Sequence, residues 1–329
     1  MPYIRNFSPE SYGNHGKIWD ISAAQNGLLY GASDDGLLEF DGQNWSRFRN
    51  YKGYTRSLAV KNDSVIYVGA DMDFGVWKKK ANRQFAFRSL YPYRDKISKT
   101  NEEFWGTYIH GNEVVFVSHQ AMYILKRDTV FRIPAPTRFS ESFSVSGRIF
   151  LADQSGLYEL HGRSLQLLMR YPNNKPLDIS GISVQDTILF IITKNKGIFR
   201  LDNRKLSVMQ MPVSQEIINS KVFCFTNIDQ KYWVFGTILN GLYITDYNGK
   251  VLQHFTKNNG LLNNTVLWVY YQNNGKLWLG MDYGIAEIDS KNTISYFQNA
   301  GHNFGTGYAA ALSGNTFLLG TNQGLYTTA

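Results

Sequence analysis

Short apolar runs separated by turn residues recur along the whole chain, and no stretch carries an apolar stripe with the 3.6-residue period of a helix. The clearest unit lies near the C-terminal end, where an apolar run over 275–280 leads through a short gap to a glycine and a second run over 284–289. Continuous apolar runs of four or five residues are typical of strands that are covered on both faces. The pattern therefore predicts an all-β protein with little helix.

This unit occurs eight times, always in the order apolar run, gap, glycine or alanine, second apolar run. The second run begins at positions 36, 75, 121, 156, 197, 241, 284 and 324, and the mean spacing of about 41 residues fits one four-stranded propeller blade. Further strand-like segments precede each unit, as at 266–271, or follow it, as at 251–255 and 294–297. The sequence predicts one β-propeller domain over residues 1–329, with four-stranded antiparallel blades.

The two ends of the chain indicate how the ring closes. Unpaired sheet edges promote aggregation, so a propeller must join its first and last blades. Residues 324–329 form a third strand with no fourth strand after it, and residues 3–7 match the fourth-strand segment 251–255. We expect residues 3–8 to complete the last blade together with residues 306–329. This arrangement favours eight blades, and a seven-bladed ring with an unpaired remnant is the alternative.

Composition supports this fold and narrows the set of partners. Aromatic residues make up 15% of the chain and charged residues 18%, a balance that suits pleated, half-buried surfaces. The net charge is +8, but the basic residues are scattered, and the run Lys78–Lys80 fits a solvated hairpin turn. No nucleic-acid-binding motif is present, so no nucleic-acid partner is expected. The single cysteine, Cys224, lies in an apolar run and is predicted to be a buried thiol.

The chain offers few residues in patterns that carry catalysis. None of its six histidines has the spacing of metal ligands, and neither a nucleophile elbow nor a phosphate-binding loop is present. We therefore expect no metal, no cofactor and no catalytic residue, and a domain that is not an enzyme. Acidic residues at Asp34, Asp35, Asp71 and Asp73 keep a glycan-active hydrolase or lyase open as an alternative, against the reading that they stabilise turns.

Loops that surround one mouth of a propeller channel are the predicted binding site. Aromatic rings, amides and a few charges in such loops can bind a sugar or another small polar ligand. Trp105 is favoured because it lies in the irregular stretch 91–106, the longest break in the repeat, and Arg56 is favoured with it. The candidate ligand-binding residues are Trp19, Arg56, Asp71, Asp73, Trp105, His119, Lys194, Asn240, Asp282, Tyr283 and His302.

The repeat resembles a known family. Its pattern Gly-x-Leu-Trp-Leu-Gly followed by Gly-Leu/Ile-x-x-x-Asp, clearest at 275–289, 232–246 and 317–326, is similar to the two-component regulator propeller repeat. The opening segment 4–13 also resembles the start of such sensors after signal cleavage. The resemblance implies a periplasmic sensor propeller from Bacteroidetes-type hybrid two-component systems or from triple-tyrosine-motif transcription regulators, whose ligands are often glycan fragments.

The sequence therefore predicts a ligand-sensing propeller that binds a glycan fragment or another small polar ligand at its channel mouth. A protein-interaction or dimerisation scaffold is one alternative, and a glycan-active hydrolase or lyase is another. The resemblance further implies parts outside this chain: a membrane span, a cytoplasmic output domain and possible homodimerisation through the full-length protein. Because the N-terminus has no apolar signal-peptide core, the periplasmic location rests on the resemblance alone.

Overall fold

The computed structural model describes residues 3–13, 16–49, 54–82, 84–93, 102–272, 274–289, 304–314 and 316–327. These residues are almost entirely strand and turn, as predicted. The helical elements are short: α1 (Pro9–Tyr12), α2 (Ser214–Ser220) and two 3-10 turns at Pro172–Asn174 and Lys257–Asn259. Within the described ranges, no helix has the length and apolar character that a membrane crossing requires.

Strand β1 (Ile4–Phe7) precedes six four-stranded blades, each an antiparallel sheet whose strands follow one another in chain order from the inside outward. The strands of the six blades have the following bounds: blade 1, β2 (Ile18–Ala23), β3 (Leu29–Ser33), β4 (Gly36–Phe40) and β5 (Trp45–Phe48); blade 2, β6 (Thr55–Asn62), β7 (Val65–Ala70), β8 (Asp73–Lys79) and β9 (Phe85–Ser89); blade 3, β10 (Phe104–His110), β11 (Glu113–Ser118), β12 (Ala121–Lys126) and β13 (Thr129–Pro134); blade 4, β14 (Glu141–Val145), β15 (Arg148–Ala152), β16 (Gly156–His161) and β17 (Ser164–Arg170); blade 5, β18 (Ile179–Gln185), β19 (Ile188–Thr193), β20 (Ile198–Asp202) and β21 (Lys205–Met209); blade 6, β22 (Val222–Ile228), β23 (Tyr232–Thr237), β24 (Leu242–Asp246) and β25 (Val251–Phe255).

The seventh blade takes its outer strand from the N-terminus. It contains β26 (Val266–Gln272), β27 (Lys276–Met281) and β28 (Ile285–Asp289), and β1 is the fourth strand, antiparallel to β28. The pairing sets Ile4 opposite Ile288 and Phe7 opposite Ile285. The prediction that residues 3–8 complete a blade with 306–329 is therefore wrong, although the N-terminal segment does supply a missing fourth strand.

Seven hydrophobic clusters join successive blades, one at each interface, and the last of them joins blade 7 to blade 1. In that last cluster, Phe7 and Trp278 pack against Phe40. The indole N–H of Trp268 also donates to the carbonyl oxygen of Ile21 at 3.1 Å. The propeller fold of four-stranded antiparallel blades is confirmed, but the ring closes with seven blades, so the favoured count of eight is corrected.

The eighth repeat folds into a separate three-stranded sheet of β29 (Gly307–Ser313), β30 (Thr316–Thr321) and β31 (Gly324–Thr327). Leu325 of this sheet is 71% exposed, and every residue of β29 is exposed. In the seven blades, the residue at the position of Leu325 is completely buried: Leu37, Phe74, Met122, Leu157, Ile198, Leu242 and Ile285. The sheet has the register of a blade without the neighbours that cover one.

Candidate functional site

One β-bulge recurs at the same place in the inner strand of most blades. It lies near the end of the channel where the loops between second and third strands gather. A bulge inserts an extra residue that has no partner across the ladder, which re-aims its side chain. The bulged residues in blades 1, 2, 3, 5, 6 and 7 are Trp19, Arg56, Trp105, Ser180, Phe223 and Leu267. Ser140 holds the corresponding position in blade 4, because Glu141 lies opposite Ala152 as Asp20 lies opposite Ala32.

The bulged residues of blades 1, 2 and 3 meet one another. The indole rings of Trp19 and Trp105, here called the tryptophan pair, lie edge to face with centroids 5.3 Å apart. The guanidinium carbon of Arg56 lies 5.2 Å from the Trp19 ring and 4.7 Å from the Trp105 ring, within the range of cation–π attraction. Because blades 1 and 3 are not neighbours, their side chains touch only by leaning toward the axis of the ring.

Two loop carboxylates hold Arg56 in place. Its Nε and Nη2 donate to the two carboxylate oxygens of Asp71 at 2.9 and 3.3 Å, and its Nη1 lies 3.3 Å from Asp34 Oδ1. The same oxygen of Asp34 accepts the Trp19 indole N–H at 2.6 Å. The Arg56 side chain is only 13% exposed. Forked contacts of this kind fix a guanidinium in one orientation, so the tryptophan pair is rigidly supported.

Further side chains extend this arrangement outward. The Trp105 indole N–H donates to Glu103 Oε2 at 3.0 Å, and the Tyr54 ring centroid lies 5.1 Å from the Arg56 guanidinium carbon. The ammonium of Lys17 lies 5.4 Å from the Trp19 ring centroid and 3.2 Å from a carboxylate oxygen of Asp282. We call the whole connected group the mouth cluster: Lys17, Trp19, Asp34, Tyr54, Arg56, Asp71, Glu103, Trp105 and Asp282.

Two carboxyl groups on inner strands have pKa values well above the ordinary range. Burial raises the pKa of Asp20 to about 7, against the opposing effect of the backbone N–H of Leu58, which donates to its carboxylate at 2.9 Å. Glu141 keeps solvent contact, yet the surrounding protein raises its pKa to about 7 by desolvation, which nearby Lys194 partly offsets. Both groups can exchange protons near neutral pH.

Four of the predicted residues come together as expected. Trp19, Arg56, Asp71 and Trp105 are in one connected group, and Asp282 joins it through Lys17. The bulge that Trp19, Arg56 and Trp105 share was not recognised in the sequence. Tyr283 is 43% exposed on the adjoining loop.

Three other predicted residues interact with groups outside the mouth cluster. The His119 Nδ1 is 2.8 Å from the carbonyl oxygen of Phe139, and the amide of Asn240 donates to the Tyr243 hydroxyl. Lys194 lies in the loop after β19, where its positive charge lowers the pKa of Glu141 and partly offsets desolvation.

One predicted residue is buried within its blade, and one lies outside the described residues. Asp73 is completely buried, and its carboxylate accepts a hydrogen bond from Ser89 Oγ at 2.6 Å, so its inclusion among the ligand-binding residues is corrected. His302 lies outside the described residues. Sequence reasoning missed four members of the mouth cluster: Lys17, Asp34, Tyr54 and Glu103.

Fold and mouth cluster define the class of this molecule: a seven-bladed β-propeller with aromatic and charged side chains gathered at one end of its channel. No protein-family model matches the chain, and no curated protein matches it. In the part of the chain that the structure describes, no three His, Cys, Asp or Glu side chains are grouped to hold a metal ion.

Solved structures with the same fold include two extracellular domains from B. thetaiotaomicron. The domain of the putative hybrid two component system BT3049 has a TM-score of 0.72 at 15% identity, over 100% of this chain and 48% of that one. The domain of the putative one component system BT4673 has a TM-score of 0.69 at 15% identity, over 98% and 45%. This chain thus spans under half the length of those domains.

A lyase has the same fold at lower identity. Virginiamycin B lyase from Staphylococcus aureus has a TM-score of 0.68 at 10% identity, over 88% of this chain and 99% of that one. At such identities, these likenesses establish the propeller fold and no more than the fold.

Proposed function

We propose that this chain is the ligand-sensing propeller of an extracytoplasmic bacterial signalling protein, and that a glycan fragment or other small polar ligand binds at the mouth cluster. The observation that carries the proposal is the convergence of Trp19, Arg56 and Trp105 from three blades. Rigid aromatic faces beside fixed polar groups form the usual composition of a small-ligand site. The likeness to extracellular domains of putative signalling systems supports the sensor role and the location.

The carboxylates of the mouth cluster favour binding over hydrolysis. A glycosidase holds two carboxyl groups on either side of the scissile bond, with open space between them. Here Asp34 and Asp71 both contact the same guanidinium, so Arg56 occupies the space between them. We therefore do not propose a glycan-active hydrolase or lyase.

A glycan screen by isothermal titration calorimetry, paired with product analysis by mass spectrometry, tests this proposal. We expect binding without turnover, and loss of binding in Trp105→Ala. The matched control is Tyr232→Ala, which removes an exposed aromatic ring from a strand end at the opposite end of the channel. Binding that survives Trp105→Ala, or turnover of any glycan, would contradict the proposal.

A protein-interaction scaffold is the second candidate function, and the eighth sheet favours it. Tyr308, Leu312 and Leu325 of this sheet are each more than two-thirds exposed, and apolar surface of this kind commonly marks an interface. If the sheet mediates self-association, sedimentation velocity shows a concentration-dependent dimer that Tyr308→Glu abolishes. A monomer at all concentrations contradicts this role.

A further inference from the structure

The mouth cluster is acidic although the chain as a whole is basic. Its charged members are four carboxylates, Asp34, Asp71, Glu103 and Asp282, and two cations, Lys17 and Arg56. The net charge of the chain is +8. The tryptophan pair is therefore set in a field opposite in sign to that of the whole molecule, and a ligand that reaches it meets excess negative charge.

The cations of the cluster are already occupied. Three nitrogens of Arg56 donate to Asp34 and Asp71, and its guanidinium also lies within about 5 Å of three aromatic rings. Lys17 is paired with Asp282. A bound anion would have to displace a carboxylate from one of these cations, which leaves that carboxylate without its partner.

In the mouth cluster, the hydrogen-bond donors are largely used, whereas some acceptor positions remain. Both indole N–H groups are donated internally, to Asp34 and Glu103. A carboxylate has about four lone-pair positions. Among the described residues, Asp71 accepts two side-chain hydrogen bonds, both from Arg56, and Glu103 accepts one, from Trp105. The cluster thus offers spare acceptors and two half-buried tryptophan rings but few spare donors, so a complementary ligand must itself donate.

We propose that the mouth cluster binds a saccharide without anionic groups, either neutral or an amino sugar, and selects against uronic acids and sulfated or phosphorylated sugars. The apolar face of the sugar ring stacks on the tryptophan pair, and its hydroxyl or ammonium groups donate to Glu103, Asp71 and Asp282. This inference rests on the proposed function, and it names the ligand class of the same site.

A glycan array that holds neutral, amino and anionic oligosaccharides tests this inference on the full chain. Titration calorimetry then follows on chitotetraose, on the glucosamine tetramer and on tetragalacturonate, which differ in charge. We expect array binding confined to the neutral and amino classes, and tetragalacturonate at least about tenfold weaker than the better of the other two at low salt. If an amino sugar binds, its affinity falls as salt screens the carboxylates.

Two conservative variants separate charge recognition from packing. Glu103→Gln and Asp282→Asn keep side-chain size and remove one acceptor charge each, so they should lower the affinity for the amino sugar several-fold while the melting temperature is unchanged. The control is again Tyr232→Ala, with no change expected. If an anionic glycan binds best and Trp105→Ala abolishes that binding, the inference is overturned and the proposed function stands. If no glycan on the array binds, or if binding ignores Trp105→Ala, the proposed function itself is overturned.

Discussion

The position of Phe7 makes ring closure directly testable. Its side chain is buried at the junction of blades 7 and 1, with ring centroids 5.1 Å from Phe40, 5.4 Å from Trp45 and 6.0 Å from Trp278. Removal of a buried phenylalanine costs roughly 3–5 kcal/mol. Aromatic contacts add roughly 0.5–1.5 kcal/mol per pair to area burial alone, which favours the upper part of that range. We therefore expect Phe7→Ala to lower the free energy of unfolding by about 4 kcal/mol in guanidinium titrations followed by circular dichroism.

Two further variants decide between seven and eight blades. Ile285 and Leu325 occupy the same register position, one opposite Gly280 and the other opposite Gly320. Ile285 is completely buried and Leu325 is 71% exposed. Ile285→Ala should cost roughly 2–5 kcal/mol, whereas Leu325→Ala should stay within about 0.5 kcal/mol of the unsubstituted chain. If Leu325→Ala is as costly as Ile285→Ala, the eighth sheet belongs to the ring and the seven-bladed closure is refuted.

Three more predictions follow from single side chains. Arg56→Lys keeps the charge but loses the forked guanidinium contacts with Asp34 and Asp71. We therefore expect the free energy of unfolding to fall by about 1–2 kcal/mol and the near-ultraviolet circular dichroism of the tryptophan pair to change. If neither quantity changes, Arg56 does not hold the tryptophan pair in place. Asp20, with a folded pKa of about 7 against an ordinary 3.8, holds its proton more tightly in the folded chain, so its stabilising contribution is full below pH 4 and is lost as pH rises through 7. In Asp20→Asn, the free energy of unfolding measured as a function of pH should decline less between about pH 4 and pH 7. If the decline is the same as in the unsubstituted chain, Asp20 does not cause it. Cys224 is buried and burial raises its pKa, so a thiol reagent should label it only in the unfolded chain.

The repeat determined the fold because its apolar positions are the ones that the blades bury. The predicted second run beginning at 36 is strand β4, and the run beginning at 156 is strand β16. At 241 the glycine has φ 71°, and a side chain there would collide with the carbonyl oxygen of Phe255. Only glycine tolerates that backbone and that approach, which is why glycine stands at or just before the start of the third strand in so many units.

The closure could not be predicted because the sequence offers two candidates for the strand beside β28. Residues 3–7 and residues 294–297 both have a fourth-strand pattern, and a pattern of alternating apolar residues does not specify its partner. The structure pairs β28 with β1, where Phe7 completes an aromatic cluster. The segment 294–297 lies outside the described residues. The pairing of β1 with β28 depends on packing between blades 7 and 1, and the sequence of a single strand does not predict such packing.

The site could be predicted only in part, for a related reason. Trp105 drew attention through the irregular stretch before it, but the feature that it shares with Trp19 and Arg56 is a bulge, and a bulge leaves no mark in apolar periodicity. For Asp34 the sequence left turn stabilisation and catalysis as alternatives. Asp34 does adjoin the turn after β3, yet its carboxylate also accepts hydrogen bonds from Trp19 and Arg56. A turn residue can serve both purposes, so residue type alone does not separate them.

The bulge explains how a repetitive scaffold acquires one distinctive face. Most positions in a blade are constrained by a neighbour across the ladder or by the next blade, so they vary only among residues that pack. The bulged residue has no partner opposite it, so its identity is free to differ between blades without disturbing the sheet. Blades 1 to 3 place tryptophan or arginine there and blades 4 to 7 place serine, phenylalanine or leucine, so the chemistry of the mouth is one-sided. Alignment of the repeats on this single position, and not on their apolar runs, distinguishes the blades from one another: Trp19, Arg56, Trp105, Ser140, Ser180, Phe223 and Leu267.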